Sequence, residues 1–399
     1  MNVPKLRFKE FNDEWQSINL ANIFKYFNTN SLSREQLSES GILKNLHYGD
    51  IHKKYNSILN ENDEITSYVK DINYVNKYEL LKNNDLIFAD ASEDYEGIGK
   101  AVEVINVNNH TISGLHTILA RDNLNVFAPM FKGYYFNSPI VHNQIRVLAN
   151  GFKVYGISKD TINKLNIKIP SIQEQSKIAN TLYLLDKKIE LQSKKIEDLK
   201  LFKKGLIIHI RKNIEVEKIP LKNILTEQNH KTKKNNEYEI LSSTSKGIYL
   251  QKDYFNKQAA SDNNEGYKIL KKNQLVLSPQ NLWMGNININ TEYNIGIVSP
   301  SYKIFNINNN INIDFFNYWI KSSKALYEYK VSSEQGASIV RRNLNVDLFY
   351  EIIVNVPKGE LQNKLGNIIK LLNLNLQYNE NLLQKIIKFK KGLMQSMFV

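Results

Sequence analysis

Residues 167–210 read IKIPSIQEQSKIANTLYLLDKKIELQSKKIEDLKLFKKGLIIHI. Pro170 stands near the head, and no Gly or Pro follows until Gly205. Apolar residues fall at Ile178, Leu182, Leu185, Ile189, Ile196, Leu199 and Leu206. Steps of four and three alternate, which predicts a long helix with a coiled-coil seam. Gln192 and Lys203 are polar members of that seam.

The stretch recurs 187 residues later without a gap, as VNVPKGELQNKLGNIIKLLNLNLQYNENLLQKIIKFKKGLMQSMF. Pro170 falls on Pro357, Ile178 on Leu365, Leu182 on Ile369, Leu185 on Leu372, Ile189 on Leu376 and Ile196 on Leu383. Leu199 falls on Ile386, Gln192 on Asn379 and Lys203 on Lys390. The chain is therefore a tandem repeat, and the long helix is its repeated joint. An earlier match, residues 18–23 on 219–224, has an offset of 201. The difference between 201 and 187 makes the second globular part 14 residues shorter. A common scaffold with different surface loops gives such a pattern.

With 399 residues the chain has room for two or three domains, and 42% hydrophobic residues supply their cores. Cysteine is absent, which excludes disulfides and thiolate metal sites and suits a reducing cytoplasm. Residues 1–14 are polar and charged, with no secretory pattern, and no apolar run is long enough to cross a membrane. The net charge of +13 and 22 tyrosines are compatible with nucleic acid as a partner.

Residues 1–15 carry Leu6, Phe8, Phe11 and Trp15 and have no counterpart in the second half. They read as a strap on the first globular part. Residues 18–165 read as β-rich, with strands at 85–89 and 101–105, turns at Asn83-Asn84 and Asn108-Asn109, and short helices at 131–137 and 159–165. Residues 85–88 fall on 274–277, and 114–120 on 296–302. Phe131 falls on Phe315, Tyr134 on Tyr318, and Gly151 near Gly336. The order globule, helix, globule, helix under a pseudo-two-fold makes the two helices antiparallel. Gln192 is then expected beside Asn379, a polar pair able to set register. A helix of about 38 residues spans roughly 57 Å and would act as a rod.

Catalytic patterns are missing from the sequence. Gly97-Ile98-Gly99-Lys100 lacks phosphate-loop spacing, and the seven histidines show no paired ligand spacing. Ser278-Pro279-Gln280-Asn281 differs at three of four positions from the tetrapeptide of amino-methyltransferases. No G-x-S-x-G elbow is present. Asp90, Glu93, Asp94 and Glu96 read as a solvated loop, with a metal site as the alternative. No catalytic or metal-binding residue is therefore assigned.

Ile169-Pro170-Ser171-Ile172-Gln173-Glu174-Gln175, the helix behind it, and Phe389-Lys390-Lys391-Gly392-Leu393 resemble the specificity subunit of a type I restriction-modification system. The opening Val3-Pro4-Lys5-Leu6-Arg7-Phe8, Leu46-His47-Tyr48-Gly49-Asp50-Ile51 and Ser113-Gly114-Leu115-His116-Thr117 are similar to further stretches of that family. Two departures stand out. Lys358-Gly359-Glu360-Leu361-Gln362 replaces the acidic-Gln signature in the second copy, and Lys9 stands where proline is common. The resemblance implies an α+β fold in which two β-rich target recognition domains are separated by two long conserved helices. Those helices would form an antiparallel coiled coil in a pseudo-two-fold repeat. The layout would be an N-terminal arm (1–17), a first recognition domain (18–168), a central helix (169–212), a second recognition domain (213–355) and a C-terminal helix (356–399).

The resemblance further implies a non-catalytic cytoplasmic subunit. Each recognition domain would read one half of a bipartite target in double-stranded DNA. The helical rod would set the spacer and dock two modification (methyltransferase) subunits that use S-adenosylmethionine to methylate adenine. Two restriction subunits, translocase and nuclease, would add ATP- and Mg-dependent chemistry. This chain itself would bind no cofactor, and no membrane is involved. Other readings of the residues are a coiled-coil scaffold whose globules bind protein, and the recognition part of a methyltransferase fusion.

Reading bases needs Arg, Lys, Asn, Gln, Ser and Thr at groove edges, and phosphates need Lys and Arg. In the first half the candidates are Asn30, Ser31, Arg34, Lys53, Lys54, Tyr55, Asn56, Ser92, His116 and Arg121. In the second they are His230, Lys231, Thr232, Lys233, Lys234, Ser243, Ser245, Lys246, Gln280, Asn281, Arg341 and Arg342. The lysines at 187, 188, 194, 195, 203 and 204 read instead as a solvated or subunit-facing helix face.

Overall fold

The computed structural model describes residues 3–61, 67–75, 78–107, 110–151, 154–212, 214–254, 263–335 and 342–399, without the side chains of 209–212 and 335. Arg341, Gly336 and Asn108-Asn109 lie outside the described residues. The chain divides into two compact units, one of residues 1–194 with 380–399 and one of residues 195–379.

The first unit is built on a five-stranded sheet. Its order is Phe24–Phe27, Thr117–Asp122, Leu86–Ala89, Ala101–Ile105, Ile58–Asn60. The strands pair antiparallel except the last two, which are parallel. Leu86–Ala89 is buried at every position, as a central strand covered on both faces should be. A second, four-stranded sheet carries Thr111–Ser113, Lys44–Leu46, Tyr68–Val69 and Leu37–Ser38. Short helices Phe131–Phe136 and Lys159–Asn163 form where the sequence predicts them. The core is aromatic: Phe24, Phe127, Phe131, Tyr135 and Phe136 cluster, and Phe398 from the chain end lies 6.0 Å from Phe131 and 5.5 Å from Tyr135.

The second unit repeats the plan. Leu225–Gln228, Lys303–Ile307, Leu275–Leu277 and Ile287–Ile289 form a sheet in the same strand order as the first four strands of the first unit. The closing pairs match too. Gln16–Ile18 pairs antiparallel with Ile167–Ile169, and Val216–Pro220 with Ile353–Pro357. Both pairs knot the two ends of a globular part together just ahead of a long helix. These strands lie across the expected boundaries at 17, 168 and 355. The helix proper starts at Ile172, behind Ser171, whose hydroxyl accepts from the Glu174 amide at 3.4 Å and caps the first turn. One expected match shifts: Gly296 lies inside Ile295–Val298, whereas Gly114 follows Thr111–Ser113. The bridge Leu80 to Ile112 and the pairing of Ile269 with Ile297 align Ile112 with Ile297 instead.

The long helices run Ile172–Lys212 and Glu360–Ser396. In the first unit Asp186 of the central helix meets Lys390 of the terminal helix. In the second, Lys203 of the central helix meets Asn373 of the terminal helix. Within each unit an early part of one helix thus meets a late part of the other, as antiparallel helices do. Of the seam, Ile178, Leu182, Ile196, Leu365, Ile369, Leu376, Asn379 and Ile386 are buried. Leu185, Ile189, Gln192, Leu199, Leu372 and Leu383 are half-buried. The Asn379 amide donates to the Asn375 carbonyl of its own helix at 2.7 Å.

The signature at the helix start has a physical role. Gln175 is buried; its amide donates to the Pro170 and Val126 carbonyls, and its Oε1 accepts from the Ala128 amide. Gln362, its repeat partner, binds the Asn312 amide in the same way. Glu174 does something different: it accepts two bonds from Arg7, at 2.8 and 2.7 Å, and so anchors the arm. The second half has no arm, and Leu361 stands in the position of Glu174. The departure in the second copy therefore follows from the missing strap.

The arm lies along the first unit as expected. Trp15 is in the core, Phe8 packs against it, and the Leu6 amide donates to the Ser396 carbonyl. Leu6 itself is not an anchoring tooth; its side chain faces solvent. Arg7→Ala leaves the buried Glu174 carboxylate unpaired and is expected to cost about 2–3 kcal/mol. Urea unfolding checks this, and Glu174→Gln in the same chain should recover part of the loss.

Candidate nucleic-acid interface

In the first unit the surface centres on the helix Tyr48–Lys53, capped by His47, whose Nδ1 accepts from the Gly49 amide. Asp50 on this helix is buried and gathers two cations. Arg34 binds it through both terminal nitrogens, at 3.0 and 2.7 Å, and Lys54 lies 3.2 Å away. Burial alone would raise the Asp50 pKa; Arg34 and Lys54 outweigh it and hold the carboxyl below its ordinary value. Both cations keep about half of their side-chain surface exposed, and Lys53 is exposed beside them. Three cations against one carboxylate leave a positive surface, with polar hydrogens free for phosphate.

An aromatic cluster adjoins it. The Tyr48 ring lies 4.7 Å from His47, 5.2 Å from His116 and 6.1 Å from His52. His116 has φ of 55° and its Nδ1 lies 3.2 Å from Asp90. Burial lowers the His47 pKa, helped by Arg34, which favours the neutral ring that accepts from Gly49. Tyr48, His47 and His52 were not among the candidate contacts, although Leu46-His47-Tyr48-Gly49-Asp50-Ile51 carries part of the resemblance.

Several candidates in this unit serve the fold instead. Asn30 is used up by Asn45, the Ser113 carbonyl and the Leu32 amide. Ser92 is buried and bonds Asp94. Arg121 is held by Asp85, Glu79 and the Leu80 carbonyl, over the Phe27 ring. The Tyr55 ring is buried. Ser31 and Asn56 are exposed.

In the second unit two loci are positive. Lys231, Lys233 and Lys234 are exposed on a loop held by buried Thr232, whose hydroxyl donates to the Asn264 carbonyl at 3.0 Å. His230 is exposed on the same loop. The hairpin Leu241–Thr244 with Gly247–Leu250 carries Ser245 and Lys246, both exposed, at its tip. Ser243 is not available: its hydroxyl donates to Asn286 and accepts from Asn288, which stiffens the hairpin. Arg342 stacks 5.0 Å over the Trp283 ring, and its amide donates to the Gln280 carbonyl. Its buried Nε has no hydrogen-bond partner among the described residues. Gln280 is exposed and Asn281 half-buried nearby in sequence. Trp283 was absent from the candidates because a lone tryptophan has no sequence context that separates a stacking surface from core. Thr232 and Ser243 are corrections of the same kind as Arg121. Lys203 is another: it is a junction residue bonded to Asn373, not part of a solvated helix face.

Among the described residues no group of acidic and histidine side chains could hold a metal. Glu96 of the acidic loop pairs with Arg146. No described helix is long and apolar enough to cross a membrane.

A duplicated chain with exposed cations and aromatic groups in both halves has the features of a nucleic-acid binding protein. The comparisons sharpen this class. Residues 12–201 match the Type I restriction modification DNA specificity domain. A putative type I restriction enzyme MjaX specificity subunit from Methanocaldococcus jannaschii is 25% identical over 211 residues. That match spans 52% of this chain and 47% of the relative, about half its length. The crystal structure of the type I restriction-modification S subunit from M. genitalium shares the fold, with a TM-score of 0.61 at 16% identity. It covers 100% of this chain and 99% of that one. A chain from a structural study of complex assembly and conformational transition of the type I R-M system gives a TM-score of 0.50 at 10% identity, covering 95% and 96%. Residues 12–201 thus resemble the DNA specificity domain of type I restriction-modification systems, and the chain shares the fold of the M. genitalium S subunit.

Proposed function

We propose that this chain is the non-catalytic DNA sequence-specificity subunit of a type I restriction-modification complex. Each globular part reads one half of a bipartite duplex target. The long helices set the spacer and dock two modification subunits, which bind S-adenosylmethionine and methylate adenine. Two restriction subunits bring ATP- and Mg-dependent translocation and cleavage, and the complex works in the cytoplasm. The observation that carries this reading is the repetition of one sheet order and one closing strand pair, each copy with its own exposed cations. One reader used twice suits a target made of two halves.

The test is DNA binding by the chain with its modification partner, followed by fluorescence anisotropy at several salt concentrations. Contacts to several phosphates should give a plot of log K against log salt that falls by about 0.9 per phosphate. A flat plot would favour a scaffold whose globules bind protein.

A further inference from the structure

The second unit holds a cavity of about 350 Å³ where its globular part meets the helices. Its walls include Lys203, Lys246, Lys321, Asn317 and Asn373, with exposed Glu292 as the one carboxylate among the described lining residues. The same junction exists in the first unit with different charge. There Lys390 is bonded to Asp186, the Tyr134 hydroxyl donates to Asp186 at 2.8 Å, and Lys390 lies 5.4 Å from the Tyr134 ring. In the second unit Lys203 takes the place of Lys390, Asn373 that of Asp186, and Tyr318 that of Tyr134. Lys203 bonds Asn373 at 2.5 Å and lies 5.9 Å from the Tyr318 ring. Geometry is kept while the carboxylate becomes an amide.

The consequence is electrostatic. A half-buried ammonium in the second unit has lost its counter-charge. Lys321 adds another: it donates to the carbonyls of Ser245 and Gly285, at 3.2 and 2.9 Å, and meets no carboxylate among the described residues. Burial lowers both lysines, Lys321 to about 8. A dianionic guest would relieve that desolvation cost, since charges taken from water need a partner. Two carbonyl bonds leave Lys321 one ammonium hydrogen for such a guest. The cavity is within the size range of small-ligand sites.

We propose that this cavity binds a phosphate group carrying at least two negative charges, and that the first unit has no equivalent site because Asp186 fills the role. The inference stands apart from DNA reading, since it is tested on the free chain. The probe is inorganic pyrophosphate, titrated calorimetrically into the full chain at constant ionic strength. One saturable site per chain is expected. Asn373→Asp, which restores the first unit's carboxylate, should weaken binding at least about 10-fold, or about 1.4 kcal/mol. Lys321→Gln should do the same, and Lys321→Arg should retain binding. Thermal unfolding of each variant confirms that it is folded. Displacement of pyrophosphate by a short DNA duplex would identify the natural group as backbone phosphate; displacement by a nucleoside triphosphate alone would identify a free nucleotide. Absence of saturable binding, or wild-type affinity in folded Asn373→Asp and Lys321→Gln, overturns the proposal.

Discussion

Lys132→Met is expected to destabilise the first unit by about 3–5 kcal/mol, the usual cost of removing one partner from a buried ion pair. Lys132 and Glu103 are both almost fully buried, with Nζ 3.2 Å from Oε1. Glu103 also accepts from the Met130 and Gly133 amides, each at 2.8 Å, so it fixes the start of the helix Phe131–Phe136 on its strand. The contact is tight: a Cβ on Gly133 would come 2.3 Å from the Ser57 carbonyl oxygen. With Lys132 gone, the carboxylate has only those amides. Burial raises the Glu103 pKa in the folded chain, against the pull of Lys132 and the two amides. A raised carboxyl pKa means that the folded state binds more protons than the unfolded one, so stability falls as pH rises through that range. Removing Lys132 pushes the carboxyl higher still. The deficit of Lys132→Met should therefore shrink as pH is lowered from neutral, and Glu103→Gln added to it should recover part of the loss at pH 7. Urea unfolding at several pH values measures both. A deficit that is the same at every pH would contradict this account of Glu103.

The second large effect is on DNA. Lys231→Glu, Lys233→Glu and Lys234→Glu together should weaken binding by about two to three orders of magnitude at low salt. The slope of log K against log salt should drop by about 3. All three side chains are exposed on the loop that Thr232 anchors, so the fold should be little affected. The loss should be uniform across targets, because phosphate contacts position the protein without reading sequence. Unchanged affinity and slope would remove this loop from the interface.

The helices and the duplication were legible in the sequence because each rests on a long periodic signal. Seam positions such as Ile178 and Leu365 need only recur at steps of three and four. The core helix Phe131–Phe136 was legible through its apolar pattern. Polar chemistry was not. Arg34 and Arg121 are the same residue type in similar surroundings in sequence, yet one faces solvent beside Asp50 and the other is locked by Asp85 and Glu79. The difference lies in which carboxylates the fold brings near; the partner of Arg34 is 16 residues away, and those of Arg121 are 36 and 42. Thr232 and Ser243 failed for the same reason, because a short hydroxyl is as useful to a hairpin as to a base. The junction lysine Lys203 was hidden until Asn373 and Tyr318 were placed around it.

The central claim is that each half of the chain reads one half of a DNA target. Methylome sequencing of cells carrying this chain with its modification partner, against cells without it, tests that most directly. The account predicts a new motif in two parts around an unspecified spacer, with one methyladenine in each part on opposite strands. No new methylated motif, in cells where the complex is intact by mass, would contradict it.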